Sequence, residues 1–166
     1  MAMVQHVEAP GDEAQGSPRA TPHARWFAPV AWVLTLAGLG ISAYLTVSHY
    51  DEGALICSTT GAVDCHAVTT SEFSTLLGIP LPLLGLAFFV GFAVLVTPPA
   101  LRSPSPLLRW GRLASVCAGV LFVVYLVTAE FLLGKICLWC TGVHAITILL
   151  FVLVLSDEFR RIGQLD

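Results

Sequence analysis

Charge is the scarcest property of this chain. Only 11% of its residues are Asp, Glu, Lys or Arg, against 56% hydrophobic. An ordinary soluble domain carries about 25% charged residues, so that class is excluded. The mean hydropathy of +0.82 agrees. Regular apolar–polar alternation is also missing, which argues against a transmembrane barrel. Basic residues are absent from 50–79, a stretch that instead holds Asp51, Glu52, Asp64 and Glu72. Residues 1–25 lack an apolar period, and with their Gly, Pro, Gln and charge are expected to form a disordered cytoplasmic tail. No small-residue cleavage site clearly ends the first apolar run, so no cleaved signal peptide is expected. Neither internal repeats nor an attached soluble domain are evident.

What fills the chain is four uninterrupted apolar runs, over 26–49, 80–97, 108–133 and 137–156. A bilayer core needs about 20 helical residues to cross, and backbone groups in lipid must be satisfied within their own segment. The expected fold is therefore an all-α membrane protein, a four-transmembrane-helix bundle. Its organisation reads as a tail over 1–25, a four-helix transmembrane catalytic domain over 26–156, and a cytoplasmic tail over 157–166. Basic residues near span ends mark the cytoplasmic side. Arg19 and Arg25 precede the first run, Arg102, Arg109 and Arg112 accompany the second connection, and Arg160 and Arg161 follow the last run. Both termini are thus expected inside, with the first and third connections outside.

Four of the five cysteines then fall on the outer face, as a spaced pair, Cys57 and Cys65, and a CxxC pair, Cys137 and Cys140. Disulfides persist outside the cytoplasm, so two structural bridges are one reading. A CxxC loop closes little chain entropy and is a poor staple, which favours thiol–disulfide exchange. Cys137 lies at the start of the last helix, where unpaired amides and the helix dipole stabilise a thiolate. Cys140 is one turn deeper, nearer lipid. A thiol beside lipid suggests an electron acceptor dissolved in lipid, and quinones are the common class. A zinc site would use paired short spacings, which Cys57 and Cys65 do not supply, so no metal is expected. Cys117, in mid-helix, reads as a small apolar filler.

After Cys65 the chain continues HAVTTSEFSTLLGIPLPLLG. Thr69 and Glu72 read as a capping box opening a short amphipathic helix in the first outward loop. Phe73, Leu76 and Leu77 would share its face, and Gly78 with Pro80 would end it. Such a helix would lie on the membrane surface and roof the bundle. Pro80 and Pro82 suit the first turn of the second span.

Taken together, the loop cysteines with seven residues between them, Ser71, Phe73, GIPLPLLG and the last-helix CxxC resemble the vitamin K epoxide reductase family, in particular its bacterial members. The resemblance covers about 26–156. It implies a four-helix bundle around a quinone, menaquinone or ubiquinone, used as electron-accepting substrate in a bacterial inner membrane. It also implies a separate thioredoxin-like partner outside the cytoplasm, which inserts disulfides into exported proteins; no nucleic acid is expected. The implied catalytic residues are Cys57, Cys65, Cys137 and Cys140: the partner dithiol attacks the Cys57–Cys65 disulfide, Cys65 then attacks Cys137 and breaks the Cys137–Cys140 bond, and Cys140 stands nearest the quinone. Ser71, Phe73 and His144 are the implied quinone-binding residues, His144 occupying the place of a tyrosine in animal members. Animal members also hold the quinone with an asparagine, and this chain contains none. Its polar contacts must differ, and simple quinone reduction is expected rather than epoxide reduction.

Three alternatives remain. One is activity on vitamin K quinone or epoxide. Another is the other bacterial quinone-linked disulfide generator, in which the CxxC precedes the spaced pair. The third is a non-enzymatic tetraspan scaffold with structural disulfides. Glu130 reads as an interfacial acid that could also relay protons, and His66 as a loop histidine able to favour the Cys65 thiolate.

Overall fold

The computed structural model describes residues 23, 25–57 and 60–163. Six helices dominate: α1 (Phe27–Tyr50), α2 (Cys65–Thr69), α3 (Leu81–Leu95), α4 (Pro98–Arg102), α5 (Pro106–Leu133) and α6 (Leu138–Ile162). Of these, α1, α5 and α6 are long and apolar enough to cross a membrane, and α3 is a shorter apolar helix of 15 residues. The four pack as a bundle in which α1 touches α3 and α6, and α5 closes the ring against α6 and α3. Val33, Val94, Leu121 and Val152 are all more than half exposed on the outside of this bundle. An apolar outer surface of that kind suits lipid and not water.

The helix limits follow from local chemistry. Pro106 and Pro82 lie in the first turns of α5 and α3, where a missing N–H does no harm. The second apolar run does not stay helical to 97. Thr97 is held extended before Pro98 and Pro99, as the residue before a proline usually is, and α3 ends at Leu95. Past the last apolar run, α6 continues to Ile162. Its acids are neutralised there: Asp157 pairs with His23 at 2.5 Å, and Glu158 pairs with Arg109 at 2.6 Å. The rest of the expected N-terminal tail lies outside the described residues, apart from Arg25.

A correction concerns the loop between α1 and α3. The helix expected to open at Thr69 and carry Phe73, Leu76 and Leu77 on one face does not form. The helical segment comes earlier, as α2, capped by Asp64, whose Oδ1 accepts from the Ala67 N–H at 3.0 Å. Glu72–Ser74 is a single 3-10 turn, followed by a hairpin of β1 (Thr75–Leu76) and β2 (Ile79–Pro80). Leu77 and Gly78 both have positive φ, 54° and 81°. Two such residues between paired strands make the tight turn that matches strand twist, and Gly78 adopts it freely.

The apolar core sits at one end of the bundle. Phe27 and Ala31 of α1, Phe89 and Phe92 of α3, Val116 of α5 and Leu150 of α6 interlock there. Gly38 lets α1 approach Phe89 so closely that an added Cβ would collide with the ring. The opposite end, under the cysteine-bearing loops, is hollow.

Candidate active site

Cys57 and Cys65 form a disulfide, with Cα atoms 6.0 Å apart. Cys65 opens α2 and is fully buried, whereas Cys57 is half-buried. The chain entering Cys57 is tied down from two sides. The Tyr44 hydroxyl of α1 donates to the Ala54 carbonyl at 3.1 Å and accepts from the Ile56 N–H at 2.7 Å. The Trp139 indole of α6 donates to the Ile56 carbonyl at 2.9 Å, and its ring packs 4.8 Å from that of Tyr44.

The two cysteine pairs are brought together by backbone pairing. Val63 and Ile136 form a parallel bridge. The Ile136 N–H donates to Ala62 at 2.9 Å, and the Asp64 N–H donates to Ile136 at 3.1 Å. Lys135 adds its ammonium to the Gly61 carbonyl at 3.1 Å. The strand-like segment leading to Cys65 therefore lies along the one leading to Cys137, and both cysteines are fully buried.

Cys137 is the N-cap of α6. Its sulfur accepts from the Cys140 N–H at 3.3 Å, doing what a cap oxygen ordinarily does. Both CxxC cysteines are thiols in this structure. The amide of Cys140 and the helix dipole favour negative charge at Cys137. Upstream, Gly134 ends α5 in the left-handed conformation, its N–H bonded to Phe131 and that of Lys135 to Glu130, the paired closure typical of a glycine-terminated helix. That closure turns Glu130 back toward α6, where its Oε1 accepts from the buried Cys137 N–H at 3.2 Å. Sequence reasoning placed Glu130 at the interface and missed this bond. Its place just before a glycine-ended turn into the CxxC was the available signal.

Beneath these residues lies a cavity of about 390 Å³. Ser71 and Phe73 from the loop, Glu130 from α5, and Cys140 and His144 from α6 all line it, among mostly apolar neighbours such as Phe88 and Leu126. Ser71 spends its proton on the Val68 carbonyl at 2.8 Å, which leaves its oxygen free only to accept. His144 is 95% removed from solvent by its 5% exposure, and its Nε2 has no hydrogen-bond partner among the described residues. A buried imidazole nitrogen without a partner is costly, and an oxygen-bearing ligand would satisfy it. A flat, apolar ring with carbonyl oxygens fits this lining. Cys57, Cys65 and Cys137 do not line the cavity; of the four expected catalytic cysteines, Cys140 alone reaches it.

A model of the vitamin K epoxide reductase family matches residues 29–155. The chain belongs to the vitamin K epoxide reductase family. The match runs from the first turn of α1 into α6 and spans both cysteine pairs. Membership makes the protein a membrane oxidoreductase, as its apolar helices and its Cys57–Cys65 disulfide accord. The family acts on quinones; among the described residues, no group of three or more His, Cys, Asp or Glu side chains is placed to hold a metal. Cys117, read as a small apolar filler, is a free cysteine exposed on the outside of α5.

Proposed function

We propose that this protein oxidises a separate thioredoxin-like partner and passes the electrons to a membrane quinone. The observation that carries the reading is the cavity in which Cys140 meets His144, whose Nε2 has no hydrogen-bond partner among the described residues. α3 completes a four-span bundle in a bacterial inner membrane, over about 26–156, with both termini cytoplasmic and the cysteine loops outside, as the arginine distribution favours. At 15 residues, α3 is about 22 Å long, and the hairpin before it takes up the remaining depth.

The relay uses each cysteine according to its access. The partner thiolate attacks Cys57, the half-buried member of the outer disulfide, and releases Cys65 as a thiolate. Cys65 attacks Cys137 across the Val63–Ile136 bridge, breaking the Cys137–Cys140 bond. The partner's second thiolate resolves the mixed disulfide, so that the partner leaves oxidised and Cys57 is freed. Cys57 then attacks Cys65 and displaces Cys137 as a thiolate, reforming the Cys57–Cys65 disulfide. That leaves both electrons on the CxxC. Helix-terminal stabilisation of the Cys137 thiolate makes it a good leaving group. Cys140 delivers the electron pair to the quinone as Cys137–Cys140 re-forms. His144 and Ser71 orient the ring's oxygens and Phe73 covers its face.

The test is quinol formation by purified protein with a reduced thioredoxin-like donor, comparing wild type with Cys140→Ala. Quinol from the wild type and none from the variant is expected. Equal rates from both would mean that electrons leave by another group.

A further inference from the structure

A second cavity, of about 200 Å³, lies against the first on its loop side. Its polar lining comes from Ser48 and His49 of α1, His66, Thr69 and Thr70 of the α2 segment, and Ser74. Thr69 and Ser74 line both cavities, so the two share a wall. His66 is exposed at the surface, while Ser48 is only 4% exposed. The Ser48 hydroxyl has no hydrogen-bond partner among the described residues. In a site this polar and roomy, a buried hydroxyl of that kind calls for water. Thr69 donates to the Cys65 and His66 carbonyls at 2.9 and 3.3 Å, and Thr70 donates to His66 at 2.8 Å. Their oxygens remain able to accept. Two imidazoles line the cavity, and no carboxylate, lysine or arginine does.

We propose that this cavity is a water-filled proton vestibule that feeds the quinone site from the outer solution. The inference rests on the quinone-reductase reading and concerns its proton balance. Oxidation of the partner dithiol to a disulfide releases two electrons and two protons outside. Thiolate exchange moves the electron pair along the sulfurs but carries no protons with it. Reduction of a quinone to a quinol consumes two electrons and two protons inside an apolar cavity. Two protons per turnover must therefore reach the CxxC thiolates or the quinone separately from the sulfur-to-sulfur electron path. His66, exposed where the cavity meets the surface, takes them up. Water held by Ser48, His49 and Thr70 passes them to the wall at Thr69 and Ser74.

The test compares Ser48→Val with Ser48→Thr, which have the same shape and differ in the hydroxyl, together with His66→Gln. Two readouts are needed: quinol formation with its solvent deuterium isotope effect, and loading of the CxxC by the reduced donor, followed by thiol alkylation. With Ser48→Val and His66→Gln, quinol formation should slow by about tenfold and its isotope effect should rise, while loading keeps its wild-type rate. Ser48→Thr should behave as wild type, and added imidazole should restore His66→Gln. Wild-type quinol rates and isotope effects in Ser48→Val and His66→Gln would overturn the vestibule and leave the quinone reading intact. Equal slowing by Ser48→Val and Ser48→Thr would also overturn it, by tracing the effect to bulk. Absence of quinol from the wild type would overturn both readings.

Discussion

His144 and Glu130 are the two residues whose chemistry is set most closely by their surroundings. The unpartnered Nε2 of His144 lines the cavity one turn beyond Cys140. His144→Phe removes that hydrogen-bonding atom and keeps an aromatic ring. A hydrogen bond to a ligand contributes on the order of 1 kcal/mol, so the KM for quinone should rise by about five- to tenfold. Donor-driven loading of the CxxC should not change; loss of loading would show that His144 acts on the thiols instead. Glu130 serves a different end, since its carboxylate satisfies the buried amide of Cys137. Glu130→Gln keeps an acceptor there and should melt close to wild type. Glu130→Ala leaves the amide unpaired and should lose about 1–3 kcal/mol, read as a lower Tm in detergent. Spacing alone could mark both residues as polar groups near the CxxC. It could not say that both line one cavity and that Glu130 also holds a buried backbone amide.

Helices α1 and α3 meet through a glycine. Gly38 stands where any side chain would strike Phe89, and Phe89 belongs to the core that closes the lower half of the bundle. Overpacking of a tight seam costs about 1–3 kcal/mol. Gly38→Ala should therefore lower the Tm, while Gly40→Ala, where an added Cβ meets nothing within 4 Å, should not. Equal Tm values for the two would mean that α1 and α3 are free to separate. The four apolar segments were legible in the sequence because a helix in lipid must be apolar along its whole length. The hairpin at Leu77–Gly78 was not. Its residues also fit a capped amphipathic helix, and two positive φ values outweighed that periodicity. Beyond the apolar run, Asp157 and Glu158 are held in the last turns of α6 by His23 and Arg109 packed against them, contacts between distant segments.

At the scale of the molecule, the proposed relay depends on the pairing of the first loop with the α5–α6 turn, which brings the two cysteine pairs together. This makes the order of exchange testable. Without Cys57 the bond between Cys65 and Cys137 can be undone only by return attack of Cys140, so Cys57→Ala should accumulate a Cys65–Cys137 disulfide in the presence of quinone. Mass spectrometry of unreduced peptides would detect it. Its absence, with Cys65 found reduced, would mean that Cys65 does not attack the CxxC.

The sequence by itself determined the apolar helices, the position of Cys137 at a helix start, the division of cysteines into two pairs and the family. Each is a local property: periodicity, capping and spacing are written in neighbouring residues. Only the tertiary structure decided that Val63 would pair with Ile136, that Glu130 would hold the Cys137 amide, and that Cys140 and His144 would share a cavity. Those contacts join segments distant along the chain, and their partners are selected by packing and by the need to satisfy buried polar groups, which no single stretch of sequence encodes.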